Sequence, residues 1–174
     1  MKVRIIAAGG LAAGLLTIGG PLLALAAPGD YGTLPVNPND VTDSTAYTVA
    51  SSVQNPNGQP GVTAVYTHRD GSRQITETVL VLPDPAAATA ALSGSPAVAV
   101  LDPMRQPAAV GTGGTVVSGM SPDRSQSVTV LTFTEGNAAS TIEFDGPAND
   151  PVPMDFVVDL GQQQAAAIRG ALAG

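Results

Sequence analysis

Side chains able to act as a nucleophile or a general base are few in this sequence. The only histidine is His68, which stands beside Arg69 and Asp70, and there is no cysteine. Ser95 and Ser121 lie near predicted turns but lack the Gly-x-Ser-x-Gly spacing that presents a nucleophile at a strand-to-helix turn. Because no nucleophile stands beside a base, the sequence predicts no catalytic triad and no catalytic residue.

Carboxylates are the remaining groups suited to catalysis. Glu77, Glu135 and Glu143 stand in predicted strands or at their ends. Two of them facing each other in a groove, roughly 5 to 10 Å apart, would supply the acid and base that glycan cleavage needs. The favoured interpretation is that the protein is not an enzyme. The alternative is a carboxylate-dependent secreted hydrolase that acts on wall glycans.

Acidic residues also gather near the end of the chain, where oxygen ligands for calcium would be needed. Their spacing differs from that of an EF-hand, and Asp150 or Asp155 has a ready role at the positive end of the last predicted helix. One histidine and no cysteine disfavour a transition-metal site. We expect no metal site from this set, which comprises Asp145, Asn149, Asp150, Asp155 and Asp159.

The glycine-rich run at 111–114 precedes a predicted strand. It lacks the Gly-Lys-Ser/Thr ending with which a phosphate loop holds nucleotides. We therefore interpret this run as a linker and expect no cofactor.

The elements that must position these groups are mostly strands. Segments rich in Val, Thr and Ile alternate with turn residues, and Asp70-Gly71 favours the positive backbone angles of a tight hairpin. Pro96, Pro103 and Pro107 predict a mostly irregular segment over 93–114, with a brief strand or a continuation of the preceding helix as alternatives for 97–101. The predicted strands cover 46–53, 62–68, 73–82, 115–120, 127–134 and 138–144.

Two helices complete the pattern. Asp84 offers an N-cap and Pro85 suits the first turn, so a short helix is predicted over 86–92, before Gly94. A final helix is predicted from an apolar face formed by Phe156, Val157, Leu160, Ile168 and Leu172.

Three strands and a helix thus occur twice in succession. Val62-Thr63 and Val128-Thr129 match in the two halves, 66 residues apart, which suggests an internal duplication of a βββα unit. The predicted fold class is α+β, an antiparallel sheet of about six strands with two helices packed on it.

The N-terminus has the pattern of a secretory signal peptide. Lys2 and Arg4 precede an apolar run over 5–25 that ends in small residues, so we predict a signal peptide over 1–26 with cleavage between Ala26 and Ala27. The alternative, an uncleaved anchor, is disfavoured by five glycines in the run. A flexible lead-in over 27–43 and a single α+β domain over 44–174 are predicted to follow.

The excess of negative charge limits the kinds of partner expected for the mature chain. Once Lys2 and Arg4 are removed, five dispersed arginines face fourteen carboxylates. Binding to nucleic acid needs clustered cations, so no nucleic-acid partner is expected. Nor is stable membrane insertion expected after cleavage.

Two segments carry a resemblance to known proteins: VLVLPDPAAATAAL at 79–92 and TFTEGNAASTIEFDGPANDPVPMDFVVDLGQQQAAAI at 132–168. With the cysteine-free, Ala/Val-rich composition, they resemble small exported proteins of the mycobacterial and actinobacterial cell envelope. The layout is similar to LpqN-type lipoproteins or to kinase extracellular sensor domains. This chain lacks the lipobox cysteine of the former and the disulfide cysteines of the latter.

The resemblance implies a binding module that is secreted or held in the cell wall, with an envelope lipid, a glycan or an exported protein as its partner. It transfers no functional residue, so the ligand-binding residues stay unknown at this point. A pocket between sheet and helices is the expected location, and a fully packed interior would argue against a lipid carrier. The aromatic residues available to line such a pocket are Tyr47, Tyr66, Phe133, Phe144 and Phe156.

Overall fold

The computed structural model describes residues 29–42, 44–94 and 100–172. The predicted signal peptide lies outside them. Within these ranges seven strands form one antiparallel sheet in the order β1-β2-β3-β7-β6-β5-β4. The strands are β1 Tyr47–Gln54, β2 Gly61–His68, β3 Gln74–Val81, β4 Leu101–Pro107, β5 Thr112–Met120, β6 Gln126–Glu135 and β7 Ala138–Pro147. The α-helices are α1 Pro38–Thr42, α2 Pro85–Gly94 and α3 Met154–Leu172, and a 3-10 turn spans Pro56–Gly58.

The α+β class is confirmed, with one strand more than expected. β4 lies at the edge of the sheet and pairs only with β5. It contains Pro103 and ends at Pro107, residues that led to the prediction of an irregular segment. Proline has no amide proton to donate, and an edge strand tolerates this on its unpaired side.

The two faces of the sheet differ in what covers them. The face we call the core face carries buried side chains from the five strands β2, β3, β5, β6 and β7, and α3 packs on it through Val157, Leu160 and Ile168. On each strand the alternate side chains point to the opposite side, which we call the outer face. α2 packs there against β6 and β7. The core-face residues are Val62, Ala64, Tyr66, Ile75, Val79, Val116, Leu131, Phe133, Ile142 and Phe144.

The helix positions differ from those that a duplication would give. The two meanders meet where β3 pairs with β7. A twofold axis through that pair, perpendicular to the sheet, would place the helices that follow β3 and β7 on the same face. Here α2 and α3 lie on opposite faces, so the similarity of the two halves does not extend to the helices.

The N-terminal lead-in also differs from the expectation that 27–43 is flexible and that the domain begins at residue 44. We call residues 31–42 the N-terminal strap. Its Tyr31, Leu34 and Pro38 are buried, and α1 packs against α3. The amide of Val36 donates to Oε2 of Glu77 at 2.9 Å. In the strap, apolar residues are spaced irregularly among proline and asparagine, so the sequence has no helical or strand periodicity that would predict burial. The strap is buried by contacts with residues distant in sequence, such as Glu77.

The start of α2 and the turn between β2 and β3 lie where short sequence motifs predict them. The amide of Ala87 donates to Oδ1 of Asp84 at 2.8 Å, which confirms the N-cap of α2. Gly71 has φ of 75° in the hairpin between β2 and β3, as the Asp-Gly pair predicts. Across the described ranges, no helix combines the length and the apolar character that crossing a bilayer requires.

Candidate functional site

A groove of about 520 Å³ opens where the end of the strap meets the start of α3. We call it the His68 groove. One wall is formed by the end of α1 and by Ser44. The floor is formed by the start of β1, the end of β2 and the residue before β3, and the other wall by the loop before α3 and its first turns. Its lining residues are Val41, Thr42, Ser44, Ala46, Tyr47, His68, Arg73, Val152, Pro153, Asp155, Phe156 and Asp159.

The β2–β3 hairpin fixes the histidine. Oδ1 of Asp70 accepts hydrogen bonds from the amide and hydroxyl of Ser72, at 2.8 and 2.6 Å, and lies 2.6 Å from Nδ1 of His68. The bonds from Ser72, together with that from His68, hold the pKa of the Asp70 carboxyl well below its usual range. Because a carboxylate only accepts, Nδ1 of His68 carries the proton, which leaves Nε2 as the other polar atom of the ring.

Tyr47 supports the histidine from the edge strand. The Tyr47 and His68 rings meet edge-on, with centroids 5.3 Å apart and an interplanar angle of 82°. Both the amide and the carbonyl of Tyr47 bond to the side chain of Asn39 in α1, each at 2.9 Å. Burial raises the pKa of the Tyr47 hydroxyl, so this group stays a hydrogen-bond donor.

An ion pair joins the α3 side of the His68 groove to the sheet. Arg73, which precedes β3, reaches across Gly146 to pair with Asp150 in the loop before α3. A side chain at position 146 would crowd this crossing, since its Cβ would lie 3.0 Å from Nη1 of Arg73. At the start of α3, Phe156 packs edge-on against Phe144, with centroids 6.1 Å apart.

Charge in the groove is unevenly balanced. Arg73 is neutralised by Asp150, and His68 is paired with Asp70. Asp155 and Asp159 are exposed one helical turn apart on α3, and neither forms an ion pair within the described residues. The groove therefore combines the apolar rings of Tyr47 and Phe156 with two carboxylates at its rim that take part in no ion pair within the described residues, although Oδ1 of Asp155 accepts a bond from the amide of Phe156 at 2.8 Å.

The aromatic residues expected to line a pocket between the layers are divided between two environments. Tyr66, Phe133 and Phe144 are buried in the packed core. Tyr47 and Phe156 line the open groove instead. The open groove that these two residues line thus lies at the end of the sheet and not between the sheet and α3.

The three glutamates considered for glycan hydrolysis do not come together. Glu77 lies on the core face, where it pairs in register with Ile142, whereas Glu143 points to the outer face of the neighbouring strand. Glu135, at the end of β6, accepts two bonds from Arg169, at 3.0 and 2.9 Å. Because the sheet separates Glu77 from Glu143, this set offers no acid and base facing each other across one groove.

The acidic residues considered for calcium are also dispersed. Asp150 pairs with Arg73, Asp145 lies on the outer face, and Asp155 and Asp159 lie on α3. Among the residues that the structure describes, no group of three or more His, Asp or Glu side chains could hold a metal ion.

His68 was considered only as a catalytic base, and its place in an open groove was not predicted. The sequence signal for it is the pair His68 and Asp70, two residues apart across a hairpin turn, because an aspartate there caps the turn and reaches the histidine as well. The participation of Thr42, Ser44 and Val152 depends on the packing of the strap and α3, for which no local pattern exists.

The fold places the chain among α+β domains built on a large antiparallel sheet. Similarity to a solved structure supports this: the extracellular domain of PknH from Mycobacterium tuberculosis has a TM-score of 0.54 and 10% sequence identity, covering 85% of this chain and 97% of that domain. At this identity the likeness concerns the fold alone. It agrees with the resemblance to kinase extracellular sensor domains. No family model matches the sequence. No curated protein matches it either.

Proposed function

We propose that this protein is a non-enzymatic binding module that works outside the cytoplasmic membrane and binds its ligand in the His68 groove. The observation that carries the proposal is the groove itself, where three separate parts of the chain place aromatic, apolar and charged side chains around one open volume. Ligand sites of this size combine an apolar surface with a few fixed polar groups.

The chemistry of the groove favours a neutral glycan among the three partner classes. The Tyr47 and Phe156 rings offer apolar surface for the C–H face of a sugar. The carboxylates of Asp155 and Asp159, which lie outside the ion pairs of the described residues, only accept hydrogen bonds, so they suit the hydroxyl donors of a sugar and repel an anionic ligand. A lipid carrier has less support, because Tyr66, Phe133 and Phe144 fill the layer between sheet and α3.

Two observations support a location outside the membrane. The sequence has the pattern of a signal peptide before the folded domain. The similar solved structure is an extracellular domain. The absence of an enzymatic role is proposed because Glu77, Glu135 and Glu143 are separated, and because the Ser44 hydroxyl in the groove is bonded to Thr42 and Asn39.

The test is an NMR titration of the mature protein with neutral oligosaccharides of glucose, galactose, mannose and arabinose. We expect one of them to shift the signals of Tyr47, His68 and Phe156. Replacing Asp159→Ala should weaken binding roughly tenfold, as loss of a hydrogen bond to a charged group does. The matched control is Asp40→Ala, which removes an exposed helical carboxylate that does not line the groove.

A second variant, Tyr47→Leu, keeps apolar bulk but removes the ring, and we expect it to weaken binding as well. Shifts confined to residues outside the groove, or no binding by any neutral oligosaccharide, would contradict the glycan proposal. A lipid found bound in native mass spectrometry of the secreted protein would support a carrier instead.

A further inference from the structure

A second groove, of about 510 Å³, lies on the outer face of the sheet, opposite to the His68 groove. We call it the Arg105 groove. α2 forms one wall with Thr89 and Ser93, the strands β5, β6 and β7 form the floor, and Arg105 of β4 stands at the edge. The two grooves share no lining residue.

Hydroxyl groups dominate this groove. Seven of its thirteen lining residues are Thr or Ser, and none is Asp or Glu. Thr115, Thr132 and Thr141 stand side by side on adjacent strands, because Thr115 pairs in register with Thr132 and Thr132 with Thr141. Cross-strand neighbours lie about 5 Å apart, so the row presents a regular series of oxygen atoms.

Most of these hydroxyl groups already donate their proton to a backbone carbonyl of the protein. Thr89 donates to the carbonyl of Pro85 at 3.0 Å, Ser93 to that of Thr89 at 3.3 Å, and Thr134 to that of Thr112 at 3.3 Å. Thr115 and Thr132 likewise donate to backbone carbonyls. What remains on each oxygen is the capacity to accept, so a ligand must bring hydrogen-bond donors such as hydroxyl groups.

Arg105 differs from the hydroxyl groups because it offers hydrogen-bond donors and a positive charge to a ligand. The other arginines of the described ranges are engaged, Arg69 with the carbonyl of Thr45 and the remaining ones with carboxylates. The Arg105 guanidinium makes no hydrogen bond or ion pair with the described residues, and no carboxylate is among the residues that line its groove. A free guanidinium in a chain with net charge −7 is suited to an anionic group, which it binds with two parallel donors.

We propose that the Arg105 groove binds a polyol that carries one acidic group, with its hydroxyls donating to the threonine row and its anion on Arg105. This chemistry is shared by carboxylated and phosphorylated sugars. It differs from that of the His68 groove, where the carboxylates of Asp155 and Asp159 disfavour an anion, and it does not depend on the ligand proposed for that groove.

The experiment is a methyl NMR titration of the mature protein with three probes: sodium glucuronate, glucose 6-phosphate and glucose. We expect one or both anionic probes to shift the methyl signals of Thr115, Thr132 and Thr141. Arg105→Gln should weaken that binding roughly tenfold or more. Thr141→Val, which keeps shape and removes a hydroxyl, should weaken it by a smaller factor.

The matched control is Arg169→Gln, which removes an arginine on α3, on the other side of the sheet. Binding of glucuronate alone would identify a carboxylated ligand class, and binding of glucose 6-phosphate alone a phosphorylated one. Equal binding of glucose, equal loss in Arg105→Gln and Arg169→Gln, or no shift of the threonine methyls with either anionic probe would overturn the proposal.

Discussion

At the scale of single residues, Glu77 is the least expected feature of the core. It is fully buried on the core face, where it accepts one bond from the amide of Val36, while its Oε1 has no hydrogen-bond partner among the described residues. Burial raises the pKa of this carboxyl to about 8, and the bond from Val36 offsets only part of that effect. The neutral carboxylic acid is therefore the form that the fold accommodates.

This predicts that stability falls as the pH rises. Because the pKa of Glu77 is raised from 4.5 on folding, its contribution is fully present below about pH 4.5 and is lost progressively up to about pH 8. Each unit of difference corresponds to about 1.4 kcal/mol. Glu77→Gln keeps an acceptor for Val36 without a charge, so the variant should lose less stability than the wild type between pH 5 and pH 8.

Urea unfolding of the wild type and of Glu77→Gln at pH 5 and at pH 8 measures how much stability each protein loses. Burial also raises the pKa values of Glu143 and Asp145, which leaves some pH dependence in the variant, so the comparison between proteins is the relevant quantity. Glu135→Gln serves as control, since that carboxylate, with 18% of its side chain exposed, is paired with Arg169. A Glu77→Gln variant as pH-dependent as the wild type would refute the assignment.

At the scale of elements, glycines at turns set how closely strands and loops approach. Gly111 precedes β5 with φ of 47°, and a Cβ there would lie 2.6 Å from both Cδ2 of Phe133 and the carbonyl oxygen of Thr134. Gly136, in the β6–β7 turn, has φ of 57° with open space around it. The two positions share a left-handed backbone and differ in crowding.

We therefore expect Gly111→Ala to be clearly more destabilising than Gly136→Ala. Both variants lose the freedom of glycine in the left-handed region, which costs about 1 to 2 kcal/mol. Gly111→Ala adds a clash with backbone and a buried ring, and overpacking of this kind costs roughly 1 to 3 kcal/mol more. Thermal or urea unfolding of the pair gives the difference, and equal losses would show that the β4–β5 connection adjusts freely.

Elements with a local signal were predictable from the sequence, and those held by distant contacts were not. Asp84 and the Asp70-Gly71 pair mark α2 and the hairpin through bonds within a few residues. The strap is held by Glu77 and Gln164, and β4 is an edge strand whose prolines concealed it. The same contrast explains the site: Tyr47 and Phe156 were named among the candidates, but their shared groove depends on how α3 and the strap pack at the sheet end.

At the scale of the whole molecule, the sheet separates two grooves whose rims carry opposite charges. The carboxylates of Asp155 and Asp159 stand at the His68 groove, and the guanidinium of Arg105 stands at the edge of the Arg105 groove. Both are proposed to act outside the membrane, which depends on export of the chain.

Export is tested by the mass of the mature protein. Expressed in an actinobacterial host, the chain should be recovered from the medium or the cell wall with a mass that corresponds to cleavage after Ala26, as the small residues before the site predict. Ala26→Leu, which places a large side chain at the cleavage position, should reduce processing, while Ala27→Leu serves as the adjacent control. Recovery of the full-length chain in the membrane fraction would favour the anchor.

The strap also has a consequence for the order of folding. The carbonyl of Leu34 accepts a bond from Nε2 of Gln164 at 2.6 Å, which joins residues 130 positions apart. The strap, which is synthesised before every strand of the sheet, must therefore wait for α3 before it can dock, and contacts so distant in sequence slow folding because a long loop has to close. A nascent chain emerging N-terminus first can assemble its β-meanders early, but it completes its core only when α3 is released.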